Sequence, residues 1–253
     1  MPAGSVAGVS LLRPRWLGAL GLALTLAAGC IGLGLWQLDR LDQRQERNAV
    51  VQAAATASPT PVDELLTAAG EVPDSLEWQP VRAEGRYDDA HEVLLRGQLQ
   101  DGRPGYHVLT PLITDTGRAL LVDRGWIPVS GQGATTEPAV PTAPQGPVDV
   151  TGRVRLSEEV RTARPVRLGE RTAVAAVDVG QLSESMPVPL YPVYVELTEQ
   201  SPPPDALPEL IDAPVIGAGP HLAYAVQWFL FAGLVPVGVW VYARAEVRKA
   251  PTT

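Results

Sequence analysis

The segment HLAYAVQWF, residues 221–229, carries an imidazole, a phenol, a carboxamide and an indole within two turns of helix. At 100° per residue, His221, Tyr224, Gln227, Trp228, Phe231 and Val235 fall within an arc of about 120°. Side chains of these types suit binding better than turnover. A neutral imidazole is a good iron ligand, aromatic rings lie well against a flat macrocycle, and guanidiniums pair with its carboxylates. A second segment, WQLDRLDQR at residues 36–44, supplies the guanidiniums. There Trp36, Gln37, Arg40 and Arg44 follow i, i+1, i+4, i+8 spacing and lie broadly on one side of a helix. Each side chain also has a plainer role. Trp and Tyr anchor spans at membrane interfaces, a Gln ties two helices together, and Arg40 snorkels toward the surface. His221 and Gln227 on one face of an apolar segment weigh toward function, because such groups in a span are costly.

Two elements must carry these residues. Leu17–Trp36 is a run of 20 residues without a charge, long enough to cross a bilayer core of about 30 Å. Leu222–Ala243 is the second such run. Arg13 and Arg15 precede the first, and Arg244, Arg248 and Lys249 follow the second. The positive-inside rule therefore puts both termini in the cytoplasm, and the middle of the chain outside it. Residues 39–220 hold 15 basic and 27 acidic groups, which argues against nucleic-acid binding. The expected layout is an N-terminal tail (1–16), a first span (17–38), a β-rich extracytoplasmic domain (39–220), a second span (221–243) and a C-terminal tail (244–253). A hairpin of the two spans brings Trp36, Gln37 and Arg40 level with His221, with Gln227 roughly 9 Å deeper. Pro236 is placed to kink the second span. LAAGC, residues 26–30, resembles a lipoprotein cleavage site, but IGLGLW continues the apolar run beyond Cys30. The reading is an uncleaved span in which Cys30 is a small apolar residue.

Between the spans, TPVDELLTAAG (60–70) reads as a short helix with Thr60 as N-cap and Gly70 as its stop. Six β-rich stretches follow: 81–87, 92–99, 106–113, 118–129, 148–156 and 193–199, separated by turns such as DGRPG, TDTG and SGQG. They predict a mostly antiparallel sheet or partial barrel. TAVAAVDVGQLSESM (172–186) reads as a helix, and the proline-rich stretch 201–220 as a stiff connector back to the membrane. The fold class is thus two transmembrane α-helices around a β-rich α+β domain. One cysteine and three histidines leave no zinc- or copper-site spacing, and there is no phosphate loop, dinucleotide fingerprint or nucleophile elbow. The expectation is a protein that is not an enzyme. His91 and His107, isolated beside or within strands, read as capping or packing residues.

Four motifs, in order along the chain, resemble the surfeit locus protein one family of cytochrome c oxidase assembly factors. LGLWQLDR (33–40) is similar to the end of that family's first helix. GRY (85–87) and LLVDRGWIPV (120–129) are similar to two of its strands. HLAYAVQWF is very close to its H-L-x-Y-A-x-Q-W signature. One departure stands in TAVAAVDV (172–179), which has Asp178 without the family's aromatic and asparagine before it. The resemblance implies a role in delivering or inserting haem a into subunit I of the oxidase. His221 would then be the axial iron ligand, and Trp36, Gln37, Arg40, Tyr224, Gln227 and Trp228 would shape the haem pocket or the contact with oxidase helices. Arg124 and Trp126 would support the outer domain or its partner face. A scaffold that recognises oxidase helices without haem is equally consistent with these motifs. The implied partners are subunit I, subunit II, a haem a synthase and membrane lipid. The 15 residues before the first span are short for a mitochondrial transit peptide, which points to a bacterial plasma membrane.

Overall fold

The computed structural model describes residues 14–66, 72–129, 136–158, 165–203, 208–214 and 216–249. The expected turn at 130–133 and the Gly70 helix stop lie outside them. The chain divides into two compact units: residues 50–215, and residues 1–49 together with 216–253.

The middle unit is built on β2 (Pro80–Tyr87), β3 (Val93–Gln100), β4 (Arg103–Thr114), β5 (Ala119–Pro128), β6 (Val148–Leu156) and β9 (Leu190–Ser201). These answer to the six stretches read from sequence. Three further strands bring the described sheet to nine: β1 (Thr60–Pro61), β7 (Val166–Leu168) and β8 (Arg171–Val174). The order is β1-β2-β6-β9-β5-β4-β3-β8-β7, and β2 also pairs with β4. That extra pairing closes β2, β6, β9, β5 and β4 into a five-stranded barrel. Pairing is mostly antiparallel, but β1–β2, β3–β8 and β5–β9 run parallel.

Alternation decides which side chains fill the barrel. Val148, Val150 and Val154 of β6 face inward with Val81 and Ala83 of β2, Leu112 of β4, Leu120 and Val122 of β5, and Val193, Val195 and Leu197 of β9. Val62, on the short helix α2 (Val62–Leu65), joins this core with Leu66. The opposite face of β5 is covered as well. Ala119 and Leu121 pack with Val93 and Leu95 of β3, Val174 of β8, and Val179 and Leu182 of helix α3 (Val179–Ser183). A strand covered on both faces reads as a near-continuous apolar run, as ALLVDRGWI does. The β3–β4 turn is a two-residue hairpin, with Asp101 and Gly102 at φ 52° and 73°.

Two sequence expectations are corrected here. Residues 172–186 are not one helix. Their start is strand β8, with Thr172, Ala173 and Val174 pairing with Val93, Leu94 and Leu95 in parallel, and only Val179–Ser183 is helical, capped by Asp178. Thr60 is no N-cap either. It lies in strand β1 beside Val81, and the cap position of α2 falls to Pro61. In both cases strand pairing overrides local helix preference.

Burying β5 on both faces encloses its charges, Asp123 and Arg124. Arg124, 3% exposed, donates to Glu92 Oε2 at 3.1 Å and to the carbonyls of Pro141 and Thr142. Glu92 also accepts from Thr110 at 2.8 Å and from Arg171 at 3.1 Å. Asp123 bonds Nδ1 of His107 at 2.8 Å and accepts from the Gly125 amide. Gly125, at φ +128°, lets the 208–214 stretch of the connector approach, so that Trp126 and Glu209 exchange backbone hydrogen bonds at 2.7 and 2.8 Å. The fully buried Trp126 ring lies under the Arg103 guanidinium at 4.5 Å, and Arg103 pairs with Glu209. Gly125 and Trp126 are thus the fastening between barrel and connector, while Arg124 holds the Pro141–Thr142 stretch. His91 bonds Asp88 at 2.7 Å, so it and His107, read from sequence as capping or packing residues, each pair with an aspartate.

Removing one partner of a buried ion pair leaves the other charge uncompensated. Arg124→Met is therefore expected to lower stability by about 3–5 kcal/mol, read from denaturant unfolding of the full chain in detergent. Adding Glu92→Gln should return part of that loss; a double variant as unstable as the single one would contradict the pairing. A second prediction concerns pH. Burial raises the Asp123 carboxyl above its ordinary range, against the lowering pull of the His107 hydrogen bond. The folded chain then keeps a proton that the unfolded chain releases. The stability contribution is whole below the unfolded value of about 3.9 and is lost as pH rises through the folded one. Asp123→Asn should flatten that part of a Tm-against-pH curve, and an unchanged slope would show that Asp123 does not set it.

Candidate functional site

The other unit is a pair of helices, α1 (Pro14–Thr56, whose last residues belong to the middle unit) and α4 (His221–Lys249). Both are long and apolar enough to cross a membrane. α4 stays helical through Pro236. The two run antiparallel. Trp16 meets Tyr242 with ring centroids 5.3 Å apart, Gly34 lies against Phe229, and Gln37 bonds His221.

The shielded positions of α1 recur with a seven-residue period. One row is Trp16, Ala23, Cys30 and Gln37, continued by the exposed Arg44, and a second is Ala27, Gly34, Leu41 and Asn48. Most leave the fully exposed class, whereas Leu22, Leu24 and Leu35 point outward. A 3.5-residue repeat is the signature of a helix-packing seam. Along its first half the seam is lined by small residues. A Cβ on Gly34 would lie 2.7 Å from the Phe229 ring, so glycine is what admits the ring. On α4 the seam runs through His221, Ala225, Trp228, Phe229, Val235 and Val239, with Ala225 only 1% exposed.

At one end the seam turns polar. His221 Nδ1–H donates to Oε1 of Gln37 at 2.9 Å, and Arg44 Nη1 stands 3.4 Å from Nε2 of the same ring. Four residues beyond Arg44, Asn48 donates to the Gly217 carbonyl at 3.3 Å, which holds the turn leading into α4.

The seven residues read from sequence therefore separate. Gln37 and His221 meet, and Trp228 lies partly shielded, in edge contact with Phe231 at 5.8 Å. Arg40 bonds Gln43 at 2.8 Å, and Gln43 in turn bonds Asp39. Trp36 is 53% exposed and Tyr224 47%, and Gln227 is exposed. By helical rotation Trp36 and Arg40 lie on the same side of the seam as Tyr224, Gln227 and Phe231. Those five form one polar and aromatic flank of the helix pair. Arg44 and Asn48 take the places beside the α4 turn, at the seven-residue spacing that Gln37 and Leu41 begin.

This donor set suits one axial ligand to a metalloporphyrin. Gln37 accepts the Nδ1–H hydrogen bond and fixes the ring, so Nε2, which Arg44 faces, is the nitrogen that would hold iron; a partner on the far nitrogen is how ligating histidines are usually held. Among the described residues no group of three or more His, Cys, Asp or Glu side chains gathers to chelate an ion.

Two apolar helices at the ends of the chain, joined in sequence by a mixed nine-stranded β domain and carrying a polar His–Gln–Arg contact, define a class of architecture. A model of the SURF1 family matches residues 24–233. Similar proteins include an uncharacterised SURF1-like protein of Mycobacterium tuberculosis, 30% identical over 240 residues, spanning 94% of this chain and 87% of the relative. A SURF1-like protein of Rickettsia felis is 27% identical over 218 residues, spanning 85% and 92%. Surfeit locus protein 1 of Rattus norvegicus is 25% identical over 243 residues, spanning 90% and 76%. The chain belongs to the SURF1 family.

The small-residue seam makes a direct prediction. Gly34→Val should lower the melting temperature of the purified protein, and Phe229→Ala in the same chain should recover part of it. The coupling between the two is expected at about 0.5–3 kcal/mol; strictly additive losses would mean that the two positions do not pack together.

Proposed function

We propose that this protein is a membrane assembly factor for a haem-copper cytochrome c oxidase, assisting delivery or insertion of haem a into subunit I. The SURF1 family is linked to cytochrome oxidase assembly. The observation that carries the finer reading is the His221 ring. It is fixed through Nδ1 by Gln37, and its other nitrogen faces a guanidinium at the end of an apolar helix pair. Iron accepts the lone pair of such an imidazole, and the exposed aromatics Trp36, Tyr224 and Phe231 lie on one side of the ring's own seam. On this reading the protein binds and hands over without turnover and is not an enzyme. Subunit I is the principal partner, with subunit II and a haem a synthase as neighbours.

The same reading puts residues 17–38 and 221–243 across a bacterial plasma membrane, residues 39–220 outside it and both termini in the cytoplasm. Two helices apolar enough to span and the basic residues at the chain ends support this. A second reading draws on the flank of Trp36, Arg40, Tyr224, Gln227 and Phe231. Aromatic and carboxamide side chains exposed on one side of a helix pair suit recognition of other membrane helices. That is the behaviour of a scaffold without haem.

One experiment separates the two. Protein purified from a host that makes haem a should show a Soret band, and His221→Ala should abolish it. A haem-free wild type, together with oxidase co-purification that His221→Ala leaves intact, would remove the carrier reading in favour of the scaffold.

A further inference from the structure

The nitrogen that His221 offers to iron is the nitrogen that Arg44 covers. Arg44 Nη1 lies 3.4 Å from Nε2, and among the described residues no carboxylate pairs with this arginine. Arg40, one turn earlier, is already taken up by Gln43 and, through it, Asp39. The backbone around Arg44 is shaped to receive it. Gly219 adopts φ +63°, and a Cβ there would lie 2.6 Å from Arg44 Nη1. The turn into α4 therefore lacks a side chain where the guanidinium rests, and Asn48 fastens that turn through the Gly217 carbonyl. A planar guanidinium is the side chain best matched to a carboxylate, and among the described residues the exposed Arg44 faces a ring nitrogen.

We propose that Arg44 is the positioning residue of this site. In the ligand-free chain it caps Nε2 of His221; when an iron porphyrin takes that nitrogen, Arg44 moves off it and pairs with a carboxylate of the same ligand. The proposal rests on the carrier reading above and adds to it one residue's exchange: Arg44 guards the iron-binding nitrogen and then selects a macrocycle with ionised carboxylates over a neutral one. One arginine then does two jobs. It keeps the imidazole from stray metals, and it reads the charge of the ligand that displaces it. Gly219 supplies the room for the first of these.

The test uses full-length protein in detergent, with haem b and haem b dimethyl ester as probes, followed through the Soret band. The wild type should bind the free acid about tenfold more tightly than the ester, the worth of one charge-assisted hydrogen bond. Arg44→Leu should bring the two within about twofold while the imidazole-ligated spectrum persists, and Arg44→Lys should keep a preference. Without ligand, modification of His221 by diethylpyrocarbonate, mapped by peptide mass spectrometry against His91, should be several-fold faster in Arg44→Leu. Gly219→Ala, which displaces the guanidinium without removing its charge, should speed it too. Retained ester discrimination in Arg44→Leu with ligation intact, or His221 modification at the wild-type rate in both variants, overturns the proposal and leaves the carrier reading standing. If the wild type ligates neither probe, this inference is overturned, and the carrier reading is decided by the haem a Soret test alone.

Discussion

A charge held away from water is costly unless the chain itself pairs it, and the middle unit is organised around that requirement. In the barrel unit the demand arises because β5 is covered on both faces yet carries Asp123 and Arg124. Glu92, Thr110 and Arg171 answer one charge, and His107 and Arg155 stand near the other. These partners come from β4, β6, β8 and the residue just before β3, so the ion pairs constrain how the strands can be assembled. An apolar pair of the same shape could be as stable, but it would not specify the same neighbours. In the helix unit Gln37 and His221 bond each other at the polar end of the seam.

Much of the β unit was legible before any coordinates, for a simple reason. Strands β2 to β6 alternate or run apolar between strong turn signals, and DGRPG encodes its hairpin directly. What escaped were β1, β7 and β8. Ala173 and its neighbours read as helix because alanine favours helix wherever tertiary pairing does not intervene. Here Ala173 is fully buried between the β3 edge and Leu168, a long-range fact that no local window contains.

The helix unit divides in the same way. The apolar runs and the polar residues at their ends were plain. Which side of each helix faces its partner was not. The polar arc of α4 carries Tyr224 and Gln227, and both are exposed beside the contact face. Packing selects small residues instead, and Ala225 lies at the centre. On α1 the seam advances by sevens from Gln37 to Arg44, so Arg40, a turn short, falls to the flank. A wheel drawn for one helix gives relative angles; only the second helix supplies the origin.

Closure of the barrel has one more consequence. Of the described sheet, the free borders are β1, two residues long, and β7, three. A sheet edge is where another chain can join by strand addition, and such short borders give an incoming strand almost nothing to pair with. At these two borders a partner must read side chains, and the longer open edge is Arg96–Gln100 of β3, beyond the three residues that β8 covers.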